Sequence, residues 1–350
     1  MMTHRWPRFL KLYLRLMVLG LGTWFAAYHL IDPYGTKVWG LEMSRAPLNG
    51  NQRFFTPLLA REERFDSAIV GDSTTLELRP DLINEKFGGS FVNLSLNGAT
   101  PDENLTLLDV FVRFHPVPKT VIIRVSDYDC GTSEPPKRGL PPFPDALYDQ
   151  NPLNDLSVSL SWETARVMVQ QAGYALGKHR SHAALDGHDD PFEGKPVDPA
   201  GDAARIKAVA ENMQLRAATA TPRNSPDEFV LPGLHYLRSM LDLLPAETGK
   251  MLVFLPRAPL ALPPVGSPDA MRWQACKERV ADMARQYANT LALDMQYDSP
   301  LARLENAFHD HNHYYQPLAD RIVEALAEVR NTRQDASNGV RVLAAPASAN

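Results

Sequence analysis

Cysteine is nearly absent: two residues in 350 cannot build a disulfide framework and leave room for one bridge at most. Positive charge is also lacking. The net charge is -5 and the pI is near 6.1, so long-range attraction to nucleic acid is missing and no nucleic-acid partner is expected. Internal repeats and low-complexity arrays are missing too. What is present is 44% hydrophobic residues, enough for one large core or two ordinary ones, and 29 prolines, which predict numerous stiffened loops.

The N-terminus carries the only long charge-poor apolar run. Arg5, Arg8, Lys11 and Arg15 precede Leu16 to Ile31, where the only side chain that can carry charge near neutral pH is His29. Counted from Phe9, with Lys11 and Arg15 snorkelling back, the segment has the length of a membrane span. The basic flank stays in the cytoplasm, and Trp24, Phe25 and Tyr28 suit the far interface. Residues 1–32 therefore read as a single-pass anchor in the inner membrane, with the rest of the chain in the periplasm. A cleaved signal peptide is the alternative, although Phe25-Ala26-Ala27 is a poor version of a small-x-small cleavage site.

Residues 33–64 lack clear periodicity and read as a linker. Over 65–330, short apolar runs alternate with helical patterns, the signature of an α/β domain. Strands are predicted near Ser67–Val70, Ser90–Leu96, Thr120–Val125, Lys250–Leu255 and Thr290–Met295. "TVIIRV" and "MLVFL" are continuous, as parallel strands covered on both faces tend to be. Thr100-Pro101-Asp102-Glu103 is a capping box with proline at the first helical position, opening a helix to about Phe114. Leu234, Leu237, Leu241 and Leu244 form one apolar stripe, and Leu318, Ile322, Leu326 and Val329 form the last. On a stripe with Trp273, Val280 and Met283, Cys276 reads as an inert buried thiol rather than a partner for Cys130. Residues 131–230 read as an insertion with thin apolar content, holding a helix near Trp162 to Leu176 and then a polar stretch, and 331–350 as a disordered tail.

In an open parallel sheet, ligands bind beyond the carboxyl ends of the strands. After the five predicted strands come Gly71-Asp72-Ser73, then Asn97-Gly98, Ser126-Asp127 and Arg257, and finally "HDHNH", His309 to His313. A serine hydroxyl becomes a nucleophile when a base takes its proton. His313 can be that base if Asp310, three residues earlier, holds its other ring nitrogen. The backbone N–H groups of Ser73 and Gly98 are candidate donors to an oxyanion. His309 and His311 read as solvated or supporting residues. No metal and no cofactor is assigned.

"IVGDSTT", "NLSLNGA" and "DHNH" ahead of the final helix together resemble the SGNH (GDSL-type) hydrolase superfamily. The membrane-anchored, exported branch is the most similar, as in the SGNH-like domains of alginate O-acetyltransferases and of the lipoteichoic-acid D-alanylation protein. The resemblance implies a flavodoxin-like three-layer sandwich around a five-stranded parallel sheet. It also implies Ser73 as nucleophile, Gly98 as second-block oxyanion glycine, and Asp310 with His313 as the fifth-block pair. The third-block Gly-x-Asn-Asp pattern is replaced by "RVSDYDC", which puts Asp127 near the place of the oxyanion asparagine. Asn97, Asp127 and Arg257 are the candidate substrate-binding residues.

The reading that follows is acyl transfer or ester hydrolysis on an exported polysaccharide or other envelope glycan. The acyl donor would come from a partner such as a multi-pass membrane acyltransferase. The alternatives are an inactive scaffold that binds glycan or a synthase subunit, and a lipid esterase at the membrane surface.

Overall fold

The computed structural model describes residues 5–37, 40–140, 142–151, 153–181, 183–219, 225–336 and 339–346. Its framework is a six-stranded sheet. The strands are β1 (Ser67–Val70), β2 (Phe91–Asn93), β3 (Thr120–Arg124), β4 (Gly249–Phe254), β5 (Thr290–Asp294) and β6 (Arg341–Ala344), in the order β2-β1-β3-β4-β5-β6. The first five are mutually parallel and in close register, Ile123 pairing with both Val70 and Leu252, and Leu252 with Ala292. Their carboxyl ends therefore emerge along one rim.

Side chains alternate across each strand. Ala68, Val70, Val121, Ile123, Leu252 and Phe254 share one core with α4 (Pro101–Phe114), α8 (Leu234–Leu243) and α9 (Pro268–Gln286). Ile69, Ile122, Met251, Val253, Leu291 and Leu293 share the other with α3 (Pro80–Phe87) and α10 (Gln316–Thr332). Helices thus cover both faces, which is why the strand sequences are continuously apolar. Each fully buried leucine or isoleucine here contributes roughly 1.5–3 kcal/mol.

Four expectations need correction. The sheet has a sixth strand, and it is antiparallel: β6 pairs with β5 inside the stretch expected to be a disordered tail. Its alternation of side chains is too short and too rich in small residues to stand out from sequence. Residues 33–64 are not a slack linker. They contain α2 (Gln52–Ala60), capped by the Asn51 side chain, and bury Phe55, Leu58 and Leu59. Arg61 is fully buried there as well, donating to the carbonyls of Leu147 and Pro57. Cys276 is not a free thiol but is bonded to Cys130. The turn after β3 packs onto the inward face of α9, bringing the two Cα atoms to 5.5 Å. The insertion holds the expected helix, α6 (Trp162–Ala175), but also α5 (Leu156–Ser159) and the long α7 (Pro199–Thr219), which occupies much of the stretch expected to be merely polar.

α1 (Arg5–Ile31) is long and apolar enough to cross a membrane. From Trp6 to Thr23 every side chain is exposed. At Trp24 this changes, for its indole N–H donates to the Ser159 carbonyl at 3.2 Å, and Tyr28 and His29 are buried against the domain.

Candidate active site

Ser73 opens a short 3-10 turn directly beyond β1. Asp72 caps that turn: one carboxylate oxygen accepts from the N–H and hydroxyl of Thr74, at 3.0 and 2.8 Å. The other accepts from buried Arg124 at the end of β3. Gly71 is needed for the approach, since a Cβ there would lie 2.4 Å from the Thr75 hydroxyl and 3.0 Å from the Arg124 side chain. The Ser73 hydroxyl is thus carried on a turn that is fixed from below.

The loop before α10 reaches across the rim to meet it. Ser73 Oγ lies 2.8 Å from His313 Nε2, and His313 Nδ1 lies 2.8 Å from Asp310 Oδ2. The other Asp310 oxygen accepts from the backbone N–H groups of Asn312 and His313, at 3.0 and 2.8 Å. Burial alone would raise the Asp310 pKa. The imidazole and the two N–H groups outweigh burial and hold the carboxyl well below its usual value. A permanently ionised carboxylate of this kind fixes the imidazole with its proton on Nδ1 and leaves Nε2 to accept from the serine.

Neighbouring residues hold the two loops together. Tyr314, fully buried, donates its hydroxyl to the Thr74 carbonyl. The carbonyl of His311 accepts from the Ala258 N–H at 3.0 Å, tying the loop to the exit of β4. On the outer side α7 braces it through Asp202, which accepts from the Tyr315 hydroxyl at 2.9 Å and lies 3.3 Å from His309 Nδ1. His309 and His311 have separate partners, Asp202 and Asp310, and both support the loop.

Gly98 follows β2 with φ +62, a left-handed backbone that glycine adopts without strain. The N–H groups of Ser73 and Gly98 donate to no acceptor among the described residues. The Asn97–Gly98 turn is clamped from α2, which the sequence had not marked as functional. Gln52 Oε1 accepts the Asn97 N–H at 2.7 Å, and Arg53 Nη1 donates to the Asn97 carbonyl at 3.1 Å. Arg53 also forms a two-pronged ion pair with Glu103, at 2.9 and 2.7 Å, and both side chains are buried. Glu103 is the acid of the predicted capping box, which is complete in the structure. Substituting Arg53→Met should therefore destabilise the chain by about 3–5 kcal/mol, because it strands a buried carboxylate. In urea unfolding, the double variant Arg53→Met with Glu103→Leu should recover most of that loss. Equal instability of the two variants would dismiss the clamp.

Asp127 and Arg257 pair with each other rather than standing free at the rim. The Asp127 side chain is half exposed; desolvation of the remainder opposes its ionisation, but Arg257 and then Arg124 outweigh that and lower its pKa. The Arg257 guanidinium, itself buried, lies 5.0 Å from the Trp273 ring centre. The Asp127 carboxylate is thus neutralised by two arginines, at the edge of the site.

On the opposite side a cleft of about 590 Å³ starts at Asn97 and Leu140 and runs between Asn49–Arg53 and the segment Ala183–Glu193. Three contacts strap its far wall to the site-bearing loops. The Asp189 N–H donates to the Leu76 carbonyl, Gln52 donates to the Asp189 carboxylate, and His188 bonds Gln316, each at 3.2 Å. The lining is polar and acidic, with Asp189, Asp190 and Glu193, while Arg53, its one arginine among the described residues, is engaged by Glu103.

The arrangement is equipped for nucleophilic acyl chemistry: an alcohol, a base oriented by a carboxylate, two unengaged N–H donors and an adjoining cleft. Comparison with known protein families and with curated proteins gives no match for this chain.

Proposed function

We propose that this chain is an exported, membrane-anchored acyl-transfer enzyme of the SGNH type, acting on an envelope glycan. The observation that carries the reading is the continuous chain of two 2.8 Å contacts from Ser73 through His313 to Asp310. In the proposed reaction His313 takes the Ser73 proton as Oγ attacks an acyl carbonyl. The oxyanion is held by the N–H groups of Ser73 and Gly98. His313 then returns the proton to the departing donor. A glycan hydroxyl next gives its proton to His313 and attacks the acyl-serine; His313 passes that proton to Ser73 Oγ as the acyl–serine bond breaks, which restores Ser73 and leaves the acyl group on the sugar. Water in place of the hydroxyl would make the same site an esterase.

The strand order β2-β1-β3-β4-β5 with helices on both faces supports a flavodoxin-like three-layer core. The Cys130–Cys276 bond supports an oxidising compartment such as the periplasm, consistent with α1 as an inner-membrane anchor. Outside the cytoplasm there is no acetyl-CoA, so the donor is assigned to a partner, a multi-pass membrane acyltransferase. The acidic cleft beside Asn97 favours an uncharged or amine-bearing glycan over a polyanion.

A serine-reactive fluorophosphonate tests the reading directly. The wild-type chain should be labelled, and Ser73→Ala should not; with a chromogenic acetyl ester and an oligosaccharide, mass spectrometry should detect one acetyl group gained by the sugar. Equal absence of labelling in both chains would instead favour a second reading, a glycan-binding scaffold without turnover. Asp127, standing where an oxyanion donor is expected, is the observation that favours this alternative.

A further inference from the structure

The free part of α1 is too short for a bilayer if the domain merely hangs beside it. Lys11 and Arg15 are the innermost charges of the helix and have to reach the headgroups on its N-terminal side. From Arg15 to Trp24, where the domain closes on the helix, the axis advances by only about 14 Å, against a hydrocarbon layer of about 30 Å. Arg15 recovers part of the difference by extending backwards. The remainder has to lie at and beyond Trp24, where the helix is hydrogen-bonded to Ser159 and buries Tyr28 and His29.

What surrounds Trp24 at that level is apolar and uncovered. Leu160 adjoins Ser159 and is 53% exposed, Trp162 is 84% exposed, and Leu153 is 81% exposed. Val169 and Leu176, also exposed, continue from Trp162 at seven-residue spacing along one side of α6. The opposite side of α6 is engaged with the segment that follows the anchor. Thr164 bonds the Tyr34 hydroxyl at 3.0 Å, and Gln171 donates to the carbonyls of Pro33 and Ala46. One face of this helix is thus fixed to the base of the anchor, and the other presents Trp162 and Val169, with Leu176 at its C-cap.

We propose that the α5–α6 face is a lipid contact: Leu153, Leu160 and Trp162 enter the headgroup and upper acyl region of the bilayer that α1 crosses. The proposal rests on the anchor reading given above. Surface-bound helices bury their apolar side by about 5–10 Å, a depth that accounts for much of the missing span. Tryptophan is suited to this level, having an apolar ring and one N–H donor for the headgroups. The anchor and the face together would hold the domain in one orientation rather than on a tether.

The test uses the full chain in phospholipid nanodiscs. The fluorescence of Trp162 is obtained as the difference between the wild type and Trp162→Phe, and that of a probe inside the span as the difference between Leu19→Trp and the wild type. With lipids brominated on the upper acyl chain, both contributions should be quenched. Aqueous iodide should leave the Trp162 contribution untouched. A quenched probe at position 19 with Trp162 open to iodide would overturn this proposal alone, and would mean that bilayer thinning absorbs the mismatch. If neither responds to brominated lipid, the anchor reading fails and this inference with it.

Discussion

Replacing Asp310 with asparagine should lower acyl turnover about 10⁴-fold while the fold is retained. The argument is one of proton placement. Asp310 accepts from His313 Nδ1, so the other ring nitrogen is left to accept from Ser73. An asparagine amide can turn its oxygen toward the N–H groups of Asn312 and His313, preserving the loop, and then its NH₂ group faces Nδ1. The imidazole has to move its proton to Nε2, where it can no longer take one from the serine. Hydrolysis of a chromogenic acetyl ester measures the loss, and circular dichroism checks the fold. Turnover near wild type would show that the imidazole does not act as the base, and the mechanism would have to be given up.

Stability should fall as the pH rises from about 5 to 9, and Glu77→Gln should remove most of that decline. Glu77 follows the Ser73 turn and is fully buried, and neither of its carboxylate oxygens has a hydrogen-bond partner among the described residues. Burial is the main cause that pushes its pKa up to about 9, and Asp190, Asp72 and Asp189 add to it. The folded state therefore prefers the protonated acid. This contribution is complete below the unfolded pKa, near 4.5, and is lost as the pH climbs through the folded value. The full gap corresponds to about 6 kcal/mol at most, and relaxation of the site should reduce it to about 3 kcal/mol or more. Glutamine has the same shape and stays neutral, so its melting temperature should change far less over the same window. Parallel pH profiles for the two proteins would rule out a buried neutral acid at this position.

Those features that could be read from sequence are the ones with local causes. Strands covered on both faces must be apolar at every position, and so "TVIIRV" and "MLVFL" stood out. The capping box of α4 is complete within four residues. Asp310 and His313 are three residues apart, so their contact needs only one turn of chain, and strand ends mark the places where Ser73 and Gly98 lie. What sequence could not supply were partners chosen by distant packing. Arg53 and Glu103 are 50 residues apart and belong to types that normally face water. The stripe on α9 indicated that Cys276 points inward, but not that the turn carrying Cys130 would be there to meet it. In α7 the helix comes from an alanine-rich, charged composition rather than from an apolar stripe, so a search for periodicity passes over it. The functional weight of α2 was hidden for the same reason as Arg53, although Asn51 ahead of an apolar cluster is a helix-start signal.

The sulfur–sulfur link between residues 130 and 276 closes a ring around the whole excursion between β3 and the helix ahead of β5. A single protease cut anywhere inside that ring would divide the backbone into one piece with the alcohol and another with the imidazole. Without a reductant the pieces would still travel as one molecule, and only reduction would let them part.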